Sequence, residues 1–285
     1  TAASLGTEGA FNSITSSFFS TVFDSSNNKH IIVYRTSSNM RYVVATVASD
    51  GGVTFGTDAV VEASDNQQIA SVFDSTNNRI VVVYRRGADS DHGYAIVGSL
   101  SGTTVTWGSP TEFNNAGNTG LGISFDSTAG KVVIGYRDQG NSNYGTAIVG
   151  TVSGTSISFG TEVVFNSGST NIVRPVYDST NDKTVILYRD DGNSSYGTAI
   201  VGTVSGTSIS FGSEVVFESA SVSYLGGAFD SDNGKVVVAY RDDGNNNDGT
   251  AIVGTVSGTS ISFGTPVVFD DDGNYGENTA NSVIY

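Results

Sequence analysis

A tyrosine followed directly by an arginine occurs at Tyr34-Arg35, Tyr84-Arg85, Tyr136-Arg137, Tyr188-Arg189 and Tyr240-Arg241. In the last three copies an aspartate comes next: Asp138, Asp190 and Asp242. An arginine fork beside a carboxylate, with an aromatic face close by, matches the hydroxyls and the apolar ring face of a sugar. Tyr136, Arg137, Asp138, Tyr188, Arg189, Asp190, Tyr240, Arg241 and Asp242 are therefore the candidate ligand-binding residues. Thr36 and Arg86 replace the aspartate in the first two copies, which are expected to lack such a site. The pattern also has a scaffold reading, in which each arginine pairs with a carboxylate from the connection between repeats and ties the repeats together.

Hard oxygen donors gather in D-D-G-N-N-N-D-G and D-D-D-G-N, at 242–249 and 270–274. Asp242, Asp243, Asn245, Asp248, Asp270, Asp271 and Asp272 are candidate calcium ligands on that ground. Neither run has the spacing of a specific calcium loop, and Asp-Gly-Asn is also ordinary turn chemistry. Calcium is the one cofactor these residues point to. Glycoside hydrolysis needs two carboxylates tuned differently at one site. The acids outside the repeat pattern (Glu62, Asp65, Asp89, Asp91, Glu112 and Glu277) form no recognisable pair in the sequence, and His30 and His92 fall in a turn and a loop. The expectation from these residues is that the chain is not an enzyme.

These residues ride on a repeat. An aromatic-Asp-Ser triplet recurs with its aspartate at 24, 74, 126, 178 and 230, and the sixteen residues from Gly145 reappear unchanged from Gly197 and Gly249. A period near 52 points to a propeller or an array of β units. Each unit reads as four strands. The first ends in the triplet, and a tight turn follows, with Asn or Gly where a hairpin needs positive φ. The second strand, as in K-V-V-V-A-Y-R, is apolar on both faces and so buried on both. T-A-I-V-G-T-V and S-I-S-F-G-T-E-V-V-F supply the third and fourth. The fold expected is all-β, a β-propeller of four-stranded antiparallel blades, with five blades the simplest count and six or an open array the alternatives. The repeats run at about 19–66, 67–118, 119–170, 171–222 and 223–274 within a single domain at 1–285. Residues 4–11 match a fourth strand and 281–285 a first strand.

Composition narrows the function. The 285 residues include 36 Gly, 3 Pro and no Cys, so disulfides and thiolate chemistry are excluded. Of the 13 basic residues, five occupy one turn of the repeat and five are the arginines above, leaving Arg41, Arg86 and Arg174. With a net charge of −15 and no basic patch, a nucleic-acid partner is not expected. No apolar run approaches the length of a membrane-spanning helix. A chain opening at Thr1 is expected to be processed or part of a longer protein.

In a propeller, the loops joining second to third strand and those joining one blade to the next emerge on one face. Both sets vary from unit to unit while the strands hardly change, and loops on a rigid scaffold are the usual carriers of binding. The third-to-fourth turn faintly resembles the Asp-box of sialidase-type propellers, in S-D-G-G-V-T-F at 49–55 and S-G-T-T-V-T-W at 101–107. That box is a turn signature, and it implies fold alone. The longer unit Y-R-D-x-G-N-S-x-Y-G-T-A-I-V-G-T-V-S-G-T-S-I-S-F-G resembles tandem repeats of tail-fibre or virion-surface proteins of marine bacteriophages, over about residues 20–270. The resemblance implies an extracellular or virion-surface location. The function expected is a non-catalytic binding module for multivalent recognition of a cell-surface glycan or receptor, with other virion or fibre proteins as further partners. A structural spacer or assembly module is the alternative, and a glycosidase is a distant one.

Overall fold

The computed structural model describes residues 10–11 and 13–273. The expected terminal strands at 4–11 and 281–285, apart from residues 10 and 11, lie outside the described residues, as does Glu277. By its contacts the chain divides into two compact units: Thr1–Phe113 with Val152–Ile157, and Asn114–Thr151 with Ser158–Tyr285. Strands dominate both. The only helical element among the described residues is one 3-10 turn, Gly87–Asp89.

The first unit holds two repeats of an antiparallel sheet. In the first, Ser17–Asp24, Lys29–Arg35 and Met40–Val47 pair in order, and both Val53–Phe55 and Ala59–Glu62 pair with Met40–Val47. The second repeats this with Asn66–Asp74, Arg79–Arg86, His92–Ser101, Thr104–Trp107 and Thr111–Asn114. Ile31, Val33, Tyr42, Ile80, Val82 and Tyr84 share one core. Within it the Val105 N–H donates to Tyr42 Oη at 2.9 Å, which satisfies a phenol that burial would otherwise penalise.

The second unit repeats the sheet three more times. Its second strands are Lys131–Asp138, Lys183–Asp190 and Lys235–Asp242, and its third strands are Tyr144–Ser153, Tyr196–Ser205 and Asp248–Ser257. Two long strands, Val163–Asp178 and Val215–Asp230, each pair at their start with one repeat's third strand and at their end with the next repeat's second strand. The connection between repeats is thus largely strand.

The aromatic-Asp-Ser triplet explains the hairpins. Asp178 Oδ1 accepts the Thr180 and Asn181 N–H groups, each at 2.9 Å, and Asp24, Asp74, Asp126 and Asp230 do the same in their turns. The residue with positive φ is Asn28, Asn78, Gly130, Asp182 or Gly234, so one turn uses Asp where Asn or Gly was expected.

The fourth strand is a correction. S-I-S-F and V-V-F form separate strands broken at G-T-E. The break falls where chains come closest: a Cβ on Gly160 would lie 1.8 Å from the Thr207 carbonyl oxygen of the next repeat's turn, and Gly212 meets Thr259 at 1.9 Å. Only glycine allows that approach.

Candidate functional site

Along each second strand the side chains alternate, which sends the tyrosine and arginine of the pair to opposite faces. Tyr34, Tyr84, Tyr136, Tyr188 and Tyr240 are all fully buried. Their hydroxyls donate to carboxylates: Tyr34 to Asp58 at 2.6 Å, Tyr136 to Glu162 at 2.6 Å, Tyr188 to Glu214 at 2.7 Å and Tyr240 to Glu218 at 3.0 Å. Burial first, and the neighbouring carboxylate second, push the phenol pKa of Tyr84, Tyr136, Tyr188 and Tyr240 well above its ordinary value. Tyr136, Tyr188 and Tyr240 are therefore core residues that no ligand reaches. Asp138, Asp190 and Asp242 are also buried, and their Oδ1 atoms accept the N–H groups of Gly140, Gly192 and Gly244. Of the nine candidate ligand residues, the arginines alone face outward.

Those arginines depart from the scaffold reading too. Arg189 Nε donates to Asp191 at 2.6 Å and Arg241 Nε to Asp243 at 2.7 Å, each within its own loop. Arg137 donates to Asn143 at 3.0 Å. Among the described residues only Arg35, with Asp65 at 2.6 Å, meets a carboxylate from a connection between repeats. Such pairs orient the guanidinium.

The feature that sequence reasoning missed lies opposite the arginines. Ser223 pairs with Arg241 and Asn171 with Arg189, and directly after each the register shifts in a β-bulge. The bulged residue has positive φ in every repeat: Phe18 (50°), Gln68 (50°), Gly120 (67°), Ile172 (49°) and Tyr224 (49°). Positive φ is uncommon for any residue but glycine, and for β-branched Ile172 it is a strained outlier. Strain of this kind persists where the surroundings enforce it, often at sites of function. Here the bulge turns its side chain toward the arginine. Arg241 lies over the Tyr224 ring at 4.9 Å, and Arg35 over the Phe18 ring at 5.7 Å. Tyr224 is 38% exposed. The signal was available in the sequence: the position six before the triplet aspartate is occupied by five different residues.

In the second unit these parts line an open pocket of about 390 Å³, formed by Ile172, Arg174 and Arg189 of one repeat and Ser223, Tyr224 and Arg241 of the next. It offers an aromatic face, an aliphatic wall, a hydroxyl and three guanidiniums. The two loop sets expected to share a face do meet around it: the Asp243 N–H donates to the Ser221 carbonyl and the Val222 N–H to the Ser195 carbonyl.

The calcium candidates do not converge on a cage. Asp243 is held by Arg241 and by the hydroxyls of Ser221 and Ser223 at 3.1 and 2.7 Å. Asp248 accepts Asn245 Nδ2, and Asp270 accepts the Asp272 N–H. Asn245 turns its backbone to Asp242 and Asp248, and Asp271 joins no cluster of metal-ligating side chains among the described residues. A different trio does gather. Asp89, His92 and Glu112 bring their ligand atoms within 4.8 Å of one another, and the Tyr94 hydroxyl bridges Asp89 and Glu112, the latter at 2.9 Å. Arg86 stacks on the Tyr94 ring at 3.6 Å. The unique acids Asp89 and Glu112 thus form a pair that their sequence positions did not reveal.

No protein-family model and no curated protein sequence matches this chain. Solved structures do. AofleA from Arthrobotrys oligospora is 10% identical with a TM-score of 0.56, over 90% of this chain and 71% of that one. The SapL1 lectin, solved in complex with alpha methyl fucoside, is 15% identical with a TM-score of 0.54, over 89% and 82%. The intramolecular trans-sialidase from Ruminococcus gnavus, in complex with oseltamivir carboxylate, is 10% identical with a TM-score of 0.58, over 90% and 85%. At these identities the likeness is one of fold. The chain is an all-β protein of the β-propeller class, its repeat an antiparallel blade whose fourth strand is split in two. The same likeness corrects the expectation that the chain is not an enzyme, because a trans-sialidase shares the fold over most of its length. Absence of a legible motif does not remove catalysis from such a scaffold.

Proposed function

We propose that this chain binds carbohydrate, through pockets between successive repeats in which the arginine of one Tyr-Arg pair faces the bulge residue beside it. The observation that carries the reading is the pocket of Arg189, Ser223, Tyr224 and Arg241. A sugar presents hydroxyls in fixed directions around an apolar ring face. Guanidinium Nη groups and Ser223 Oγ suit the hydroxyls, and the half-exposed Tyr224 ring suits the face. The fold is shared with a protein named as a lectin and solved with a fucoside, and that supports the reading without naming the sugar.

Repetition adds a consequence. Phe18 against Arg35 in the first repeat echoes Tyr224 against Arg241 in the fifth, while Gln68, Gly120 and Ile172 make the intervening positions different. Linked weak sites raise overall affinity by about 10² to 10⁴ over a single site. Attachment to a glycan-coated cell, by a protein displayed outside the cell or on a virion, is the task that suits such a device.

The test is a glycan array probed with the whole chain, followed by incubation of each bound glycan and analysis for released product. Saturable binding to a defined set of glycans is the expected result. Silence at concentrations where a weak lectin is detected would count against it, and product release would add turnover to the binding role.

A further inference from the structure

We propose that the pocket takes an acidic sugar, with the ligand's carboxylate or sulfate seated against Arg174. The inference rests on the carbohydrate reading above and deepens it to the charge of the ligand.

Three arginines fall outside the repeat pattern. Arg41 is paired with Asp58 at 2.9 Å, and Arg86 is paired with Glu62. Among the described residues Arg174 has no such partner: its Nη1 donates to the carbonyls of Val173 at 2.9 Å and Leu121 at 3.4 Å. In a chain with 28 acidic residues, a guanidinium left with carbonyls alone is conspicuous. It is also recessed, and burial holds its pKa below the ordinary arginine value. A withdrawn charge without a counter-charge is costly, and an incoming anion removes that cost.

The surroundings are arranged for it. The neighbouring first strands carry Gly122 and Gly226 at the place of Arg174, and Ser20 and Ala70 stand there in the first two repeats. A Cβ at Gly122 would meet the Val173 carbonyl oxygen at 2.5 Å, so the adjoining strand has no room for a side chain beside Arg174. Arg189 and Arg241 line the same pocket with one aspartate each, Asp191 and Asp243, which leaves the lining one positive charge in excess. A guanidinium fork donates paired N–H bonds to two oxygens of either a carboxylate or a sulfate. Tyr224, Ile172 and Ser223 remain for the ring that carries the acid.

The test compares matched glycans differing in one acidic group: glucuronide against glucoside, galactose 6-sulfate against galactose, and sialylated against unsialylated lactose. Titration calorimetry of the wild-type chain is expected to show at least one acidic member bound about tenfold or more tightly than its neutral partner, the worth of one charge-assisted bond. Arg174→Met should erase that preference and Arg174→Lys should keep most of it, with thermal melting confirming the fold. Should Arg174→Met not fold, inorganic sulfate is expected to displace the acidic sugar from the wild type beyond a chloride control of equal ionic strength. Equal affinity for acidic and neutral partners, preference surviving Arg174→Met, or no displacement by sulfate would overturn the proposal while leaving carbohydrate binding intact. If no glycan of any pair binds, both readings fall together. The carboxylate and sulfate pairs decide which anion is taken.

Discussion

Each tyrosine of a Tyr-Arg pair sits in the core with its hydroxyl on or beside a carboxylate, and this has a pH signature. The folded chain keeps Tyr84, Tyr136, Tyr188 and Tyr240 protonated beyond the pH at which an unfolded tyrosine ionises. Above about pH 10 the unfolded chain therefore binds fewer protons than the folded one, and stability falls as pH rises. Below that pH the contribution is fully present. For each such tyrosine the slope approaches ~1.4 kcal/mol per pH unit well above pH 10 and averages about half that between pH 9 and 11. Urea denaturation between pH 9 and 11 measures it, and Tyr188→Phe should shallow the slope by one tyrosine's share. A stability that stays level to pH 11 would mean the phenols ionise freely in the folded state. The partners of Arg189 and Arg241 within the loops, Asp191 and Asp243, fix a direction more than they hold repeats together.

At the scale of elements, glycine separates close packing from turn geometry. Gly160 abuts the Thr207 carbonyl, whereas Gly154, at φ +61°, has open space around it. Gly160→Ala is expected to cost about 3 kcal/mol through displaced backbone. Gly154→Ala should cost only about 1 kcal/mol, for a side chain at positive φ. Thermal melts of the two variants check the contrast, and equal losses would contradict the close approach. Much of this architecture was legible in the sequence. The period, the aspartate-led hairpin and the doubly apolar second strand all follow from residue types with known local preferences. The split fourth strand did not, because its two halves pair with separate stretches of the same third strand, which is a matter of pairing and not of residue preference within S-I-S-F-G-T-E. The bulge was hidden for a related reason. Ile172 and Tyr224 are poor choices for positive φ, so local preference argues against the conformation that the surrounding sheet imposes. Tyr224 is a strand residue turned outward by the bulge. The tyrosines of the pairs were misplaced because adjacency in a strand means opposite faces, and only the partners reveal which face is the core.

At the scale of the whole molecule, the repeats and the charge act together. A net charge of −15 favours solubility. It also means that any attraction for an anionic ligand has to be local, since the Debye length at physiological salt is about 8 Å. The pocket meets that condition by placing three guanidiniums on one small lining. Variation from repeat to repeat is concentrated at the bulge and its adjoining loops, so one copied sheet presents several distinct surfaces. The central claim is that sugar recognition runs through Tyr224 and Arg241. Titration calorimetry of the wild-type chain, Tyr224→Ala and Arg241→Ala with the glycan best bound on the array tests it most directly. The expected result is saturable binding by the wild type and a loss of about tenfold or more in each variant, with melting temperatures unchanged. Identical affinities for all three proteins would contradict it.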